Sequence, residues 1–262
     1  MNKTFCVVGT DARQHAAAAA LRDAGYAVTG AEGAGNAAYI LLPMPMDADQ
    51  ADLARILRAA QPGTLALGGR VSEPVQAAAK AAGVELVDYF LRPELACLNA
   101  VPTAEGCLAL LMRERERTLW QSGVLVLGGG RVAEAIYTRL HLLGAYVTMA
   151  ARAPDQRARA LSAGCQAAPL TDLPRLLPGF DAVVNTIPAL VLGKERLARL
   201  PKGALILDLA SMPGGVDFTA AHELNLRTIH ALSLPARCAP QTAGELVAHT
   251  VLTILQERST TP

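Results

Sequence analysis

At 262 residues the chain is long enough for one or two domains of about 150 residues each, and 52 % apolar against 18 % charged residues excludes intrinsic disorder. Lys plus Arg number 24 and Asp plus Glu 23, so the net charge of +1 lacks the basic excess of a free-standing nucleic-acid binder. Aromatic residues make up only 4 %, too few for the stacking platforms that hold single strands.

The opening residues run straight into an apolar strand from Thr4 to Gly9, with no signal-peptide core before it. An Ala-rich helix from about Arg13 to Ala24 follows, Gly25 ends it, and Tyr26-Ala27-Val28-Thr29 begins the next strand. Residues 38–43 form a strand stopped by Pro43, and residues 63–68 a second buried run. Pro102 restricts the residue before it, so Thr103 is the expected N-cap of a connecting helix from about Ala104 to Arg117.

The pattern then starts again. Val124-Leu125-Val126-Leu127 is a strand, a glycine turn follows, and the next helix ends at Gly144 before the strand Ala145–Met149. Gly9 and Gly25 stand sixteen positions apart, as do Gly128 and Gly144, the spacing of a strand, crossover helix and parallel strand. Residues 181–188 match 38–43, and 203–208 match 63–68. Their near-continuous apolar character suits a parallel sheet covered on both faces. A last helix presents Leu246, Val247, Val251, Ile254 and Leu255 on one face.

The expected fold is therefore α/β, with two doubly wound, Rossmann-like parallel-sheet domains joined by bridging helices. The first covers residues 1–100, completed by the connecting helix at 103–119 and the C-terminal helix at 242–258; the second covers 120–240. No run of about 18 uninterrupted apolar residues is present, so neither a membrane span nor a membrane partner is expected. The five cysteines are scattered without a C-x-x-C pair, indicating neither a disulfide framework nor a metal site.

Chemistry concentrates in the second half. Gly128-Gly129-Gly130-Arg131-Val132-Ala133 fits G-x-G-x-x-A between a strand and a helix whose apolar face reads Val132, Ile136, Leu140 and Leu143. Gly128 allows the tight turn, Gly130 the approach of a pyrophosphate, and Ala133 close packing of helix on strand. An NAD site carries an acidic residue about 20 positions further on. This chain has Arg152 there and no carboxylate before Asp155, which points to NADP, with Arg157 and Arg159 adding to the field. The plain alternative for Arg152 is a solvated surface residue. Asn185-Thr186-Ile187-Pro188 and the loop from Asp208 through Ser211 end the strands expected to face the nicotinamide, Asp208 either as a ligand or as the cap of its own loop.

In the first half Gly9-Thr10-Asp11-Ala12-Arg13-Gln14 lacks the second and third glycines, and Asp11 would repel a pyrophosphate. Arg13 at a helix N-terminus suits a small carboxylate-bearing molecule instead, unless Asp11 merely caps the helix and Arg13 is solvated. Gly68-Gly69-Arg70 sets another cation at a strand end. The five His residues form no triad or metal set, and neither a nucleophile elbow nor a P-loop occurs.

These segments resemble the A-subunit family of dipicolinate synthase over essentially the full length. To those already quoted are added Asn99-Ala100-Val101-Pro102-Thr103-Ala104-Glu105-Gly106, Pro213-Gly214-Gly215 with Asp217, Ala231-Leu232-Ser233-Leu234-Pro235, Ala239-Pro240 and Thr242-Ala243-Gly244. The ending Ser-Leu-Pro, Ala-Pro, Thr-Ala-Gly is the most particular. The resemblance implies NADP-dependent oxidation of a dihydro- or hydroxytetrahydrodipicolinate to dipicolinate in a sporulating bacterium. It also implies a small dicarboxylate substrate, the flavoprotein-like B-subunit of dipicolinate synthase as partner, and a location in the mother-cell cytoplasm, with a homo-oligomer left open. Thr10 departs from the family's usual glycine, and Ala236-Arg237 from its Gly-Lys, the charge being kept. Arg13 and Arg237 are then the candidates for holding the carboxylates, with Ser211, Ser233 and Thr242 as hydrogen-bonding neighbours and Asp11 or Glu105 as base. The competing readings are an NADP-dependent enzyme of the 2-hydroxyacid dehydrogenase type and a non-catalytic, NADP-binding partner protein.

Overall fold

The computed structural model describes residues 3–44, 46 and 50–260, which divide into two compact units, residues 1–99 with 239–262 and residues 100–238. Unit 1 runs β1 (Thr4–Val7), α1 (Ala12–Asp23), β2 (Ala27–Thr29), β3 (Tyr39–Leu41), α2 (Gln50–Ala59), β4 (Leu65–Gly68), α3 (Glu73–Ala81) and β5 (Glu85–Asp88). Helix α4 (Pro93–Glu114) carries the chain into unit 2. There follow β6 (Gly123–Leu127), α5 (Arg131–Leu142), β7 (Tyr146–Ala151), α6 (Pro154–Ser162), β8 (Gln166–Pro169), α7 (Leu173–Leu176) and β9 (Ala182–Asn185). The unit closes with α8 (Lys194–Leu197), β10 (Leu205–Asp208), α9 (Phe218–Glu223), β11 (Arg227–His230) and α10 (Leu234–Cys238), after which α11 (Pro240–Thr260) belongs to unit 1.

Both sheets are entirely parallel and doubly wound, as the strand and helix alternation requires. Side chains alternate between faces along each strand. Phe5 and Val7 thus join the core built with α1 and α11, while Cys6 and Val8 join the one built with α2 and α3. In unit 2, Val124 and Val126 pack towards α4 and α5, and Leu125 and Leu127 towards α7, α8 and α9. Two covered faces explain why these strands read as unbroken apolar runs.

The two halves are not the same layout repeated, as the sequence suggested. Unit 1 has the order β2-β1-β3-β4-β5, that of flavodoxin-like sheets, whereas unit 2 has β11-β10-β9-β6-β7-β8, the dinucleotide-binding order. The repeat that does hold is the first crossover: Gly9, Gly25, Gly128 and Gly144 all have positive φ, at +108°, +89°, +109° and +79°.

Three expectations need correction. Thr103 is no N-cap, because α4 starts ten residues earlier at Pro93, contains Pro102 in its interior and ends at Glu114. The local cost of an interior proline is outweighed by burial on both sides of it, with Ala100 and Ala104 both in the core. From Ala100 onward that helix groups with unit 2, where Ala104, Cys107, Leu108 and Leu111 join the core, rather than completing the first half. Leu143, assigned to the apolar face of α5, is 49 % exposed, because the helix has already ended at Leu142. By length and hydropathy α4 passes as a membrane-crossing helix, but half of that window is buried inside the fold.

Candidate functional site

In open parallel sheets ligands gather at the carboxyl ends of the strands, where the strand order reverses. That point in unit 2 lies between β6 and β9, and Gly128 sits on it. A Cβ on Gly128 would stand 2.3 Å from Thr186 Oγ1, so only glycine allows the loops after β6 and β9 to close on each other. Thr186 secures that closure: its backbone N–H and its hydroxyl both donate to the Leu127 carbonyl, at 2.9 and 2.8 Å. Gly129 accommodates the Gln156 side chain, which a Cβ would meet at 2.5 Å.

Gly130 is different, for a Cβ there would meet nothing within 4 Å. It is the N-cap of α5 and supplies no side-chain acceptor. The opening amides of this twelve-residue helix, on Arg131, Val132 and Ala133, therefore face an anion-accepting space with the positive end of the helix dipole behind them. Ala133 is fully buried, Val132 half-buried and Arg131 exposed. This arrangement fits the pyrophosphate of a dinucleotide.

At the end of β7, Arg152 is exposed, and among the described residues its guanidinium makes no hydrogen bond or ion pair. The other two arginines are occupied. Arg157 donates to the carbonyls of Ala151 and Arg152 at 3.0 and 2.6 Å, fixing the backbone from which Arg152 projects. Arg159 is neutralised by Asp155 at 3.0 Å and Glu134 at 3.4 Å, and also donates to the Gly129 carbonyl. The positive field at this strand end thus narrows to Arg152, with Arg157 behind it.

Asn185 and Asp208, at the ends of the paired strands β9 and β10, are both fully buried. Asn185 Nδ2 donates to Asp208 Oδ1 at 2.8 Å and to the Ile187 carbonyl at 3.0 Å, while Asn185 Oδ1 accepts from Ile187 N–H at 3.1 Å. Asp208 accepts two further amides, Ala210 N–H at 3.1 Å and Gly215 N–H at 2.7 Å. Asn185 thus ties the Ile187 loop to Asp208, and Asp208 caps its own loop. The role of Gly215 has no signal of its own in the sequence; a Cβ there would stand 2.3 Å from Asn185 Nδ2. His230 belongs to no sequence motif, yet its Nε2 lies 3.0 Å from the Ala210 carbonyl and braces the same loop from β11. Ser211 and Pro188 are exposed, with Thr186 and Ile187 half-buried beside them in sequence.

In the corresponding loop of unit 1 the helix N-terminus is capped from within. Asp11 caps α1, accepting from the amides of Arg13 at 2.8 Å and Gln14 at 3.1 Å, and pairs with the Arg13 guanidinium at 2.8 Å. Arg13 also donates to the Met44 carbonyl. It is not the solvated residue of the plain alternative. Burial alone would raise the Asp11 carboxyl, but Arg13 and the two amides hold it below its ordinary value. Asp11→Ala is expected to cost about 1 kcal/mol in a denaturant melt, the usual loss of an acidic cap. That stabilisation is complete above the unfolded carboxyl value of about 3.9 and disappears as pH falls through the lower folded value. The gap between wild type and variant should therefore narrow in acid.

The remaining candidates are spread over several elements. Glu105, on α4, is exposed and 4.0 Å from Arg139 Nε. Ser233, at φ +55°, precedes α10, and Arg237 lies on that helix, both exposed. Thr242 is exposed in the first turn of α11. A cavity of about 580 Å³ bordered by Arg115, Arg117, Trp120 and Asp181 opens at the amino-terminal ends of β6 and β9, opposite the glycine loop.

Comparison with known proteins agrees with this geometry. Over 173 residues, 66 % of this chain, the sequence is 35 % identical to the A-subunit of dipicolinate synthase from Bacillus subtilis (strain 168). The chain is similar to the dipicolinate synthase A-subunit. The matched stretch spans 58 % of that relative's length. The crystal structure of the dipicolinate synthase A-subunit from Bacillus halodurans superposes with a TM-score of 0.86 at 25 % identity, covering 97 % of this chain and 98 % of that one. The apo-structure of D-lactate dehydrogenase from Escherichia coli shares the fold alone, with a TM-score of 0.71 at 15 % identity and coverage of 99 % and 98 %. No protein-family model matches the chain. The two parallel-sheet α/β units thus match the fold of the dipicolinate synthase A-subunit structures.

Proposed function

We propose that the protein is an NADP-dependent oxidoreductase that converts dihydrodipicolinate, or its hydroxytetrahydro precursor, to dipicolinate. The observation that carries this reading is the uncapped N-terminus of α5 behind Gly130, with Arg152 at the end of the neighbouring strand β7. Gly128, Gly129 and Gly130 with the amides of Arg131 and Val132 would hold the pyrophosphate, and Arg152 the 2′-phosphate. NADP, when bound, would supply the hydride acceptor. The chain's own residues orient it: Asn185 fixes the Ile187 carbonyl, Thr186 ties the loop to β6, and Asp208 holds residues 209–215, with Ser211 and Pro188 exposed beside them.

Aromatisation of the substrate provides a large driving force, so positioning matters more than a strongly tuned base. Glu105, rather than the cap Asp11, is the proposed proton acceptor. Arg13 and Arg237 are the proposed carboxylate contacts, with Ser233 and Thr242 as proposed hydrogen-bonding residues. The flavoprotein-like B-subunit of dipicolinate synthase is the proposed partner, and the mother-cell cytoplasm the proposed location. A 2-hydroxyacid dehydrogenase would need a His–carboxylate pair in unit 2, whereas His230 is engaged by the Ala210 carbonyl.

Cofactor choice is tested by titrating NADPH and NADH against the fluorescence of wild type and Arg152→Ala. NADPH binding should weaken by roughly 1.5–3 kcal/mol, the range for hydrogen bonds to charged groups, with NADH unaffected. Equal NADPH affinities in the two proteins would remove the phosphate assignment.

A further inference from the structure

Tyr89 is fully buried in unit 1, and among the described residues its hydroxyl alone is a buried side-chain polar group without a hydrogen-bond partner. Native interiors rarely leave such a group unpaired, and doing so costs on the scale of a whole interaction. Tyr89 begins the turn after β5, which Asp88 fixes by accepting from Phe90 N–H at 2.8 Å and Val71 N–H at 2.9 Å. The hydroxyl end of the ring lies against Gly69, just after β4, where a Cβ would stand 2.8 Å from Tyr89 Cζ and 2.6 Å from Met44 Sδ. The carbonyl of the same Met44, after β3, receives the Arg13 guanidinium from α1.

Four segments that follow strands of this sheet thus converge where its order reverses, between β1 and β3. Among the described residues Arg13 uses only Nη2, for Asp11 and Met44, leaving Nη1 and Nε without a partner there, and its side chain keeps 14 % of its surface in solvent. Glycine at position 69 is what lets Tyr89 approach Met44, for any side chain there would occupy the same space. Burial pushes the phenol upward, Arg13 draws it down and Asp88 and Asp11 raise it again, so the group stays a protonated donor at neutral pH.

We infer that the Tyr89 hydroxyl donates a hydrogen bond to a carboxylate oxygen of the dicarboxylate ligand in unit 1, with Arg13 supplying the neighbouring charge. This rests on the proposed dicarboxylate substrate and adds a ligand-binding residue to it. Tyr89→Phe keeps the ring and removes only the oxygen. The full-length wild type and variant are titrated with dipicolinate and, separately, with NADPH by calorimetry, and their thermal melts compared.

The expected result is a dissociation constant for dipicolinate at least tenfold higher in Tyr89→Phe, with NADPH affinity and melting temperature unchanged or the latter raised. Equal dipicolinate affinities would overturn the inference and leave the proposed function standing. So would a lowered melting temperature with dipicolinate binding intact, the mark of a hydroxyl spent on structure. Absence of dipicolinate binding to the wild type would overturn the inference together with the dicarboxylate reading on which it rests.

Discussion

Asp208→Ala is expected to destabilise unit 2 by roughly 3–5 kcal/mol, an unusually large effect for one polar side chain. The carboxylate is fully buried and is the acceptor for Asn185 Nδ2, Ala210 N–H and Gly215 N–H. Removing it leaves three buried donors facing an apolar cavity, each costing about 1–3 kcal/mol, with partial relaxation lowering the sum. Water cannot easily replace it, because Gly214 is packed against Asp208 Oδ2 and Gly215 against Asn185. Urea melts would show the loss as a lower midpoint. NADPH affinity should fall as well, because Asn185 would no longer be held while it orients Ile187. Asp208→Asn, which retains one acceptor oxygen, should recover part of the stability.

The second large effect concerns the glycine loop. Gly128→Ala places a methyl group 2.3 Å from Thr186 Oγ1 at a residue with φ +109°, where side chains are strained whatever the space. Backbone strain of about 1–3 kcal/mol adds to about 1–3 kcal/mol of overpacking. The relief available is separation of the loops after β6 and β9, which breaks the Thr186–Leu127 contact. NADPH binding should therefore be lost at concentrations that saturate the wild type, and the melting temperature should drop. Gly130→Ala meets no atom within 4 Å and should leave stability nearly unchanged. If it nevertheless weakens NADPH, the loss lies in the space proposed for the pyrophosphate. A calorimetric titration of the two variants separates closure of the loop from approach of the ligand.

Much of this architecture is written in local pattern. The apolar strands, the glycine spacings and the uncapped turn at Gly130 follow from rules that act within a few residues. What could not be read depends on contacts distant in sequence. Strand order is one such property, because the two halves share a first crossover and then place their later strands differently. Pro102 marks a helix boundary by local preference, but burial of Ala100 and Ala104 carries α4 through it.

The site shows the same division. Gly128 and Arg152 are visible from motif and position, whereas the pairing of Arg13 with Asp11 and Met44 is not. Tyr89 carries no motif at all; its orphan hydroxyl emerges only when β3, β4 and β5 are set side by side. Two glycines in the segments that bear the family resemblance prove to be packing contacts. A Cβ on Gly106 would stand 2.9 Å from Cys238 Sγ, and one on Gly244 2.2 Å from the Arg13 carbonyl. Both allow close approach of helices within their own unit and do no chemistry.

NADP-linked formation of dipicolinate is tested directly by one assay. Purified protein is mixed with freshly generated dihydrodipicolinate and NADP, with and without the flavoprotein-like partner, and absorbance is followed for product and for reduced cofactor together. The expected result is dipicolinate appearing in step with NADPH, one for one, and far more slowly with NAD. If no dipicolinate forms under either condition from a chain that still binds NADPH, the oxidoreductase reading is contradicted and that of a nucleotide-binding partner protein takes its place.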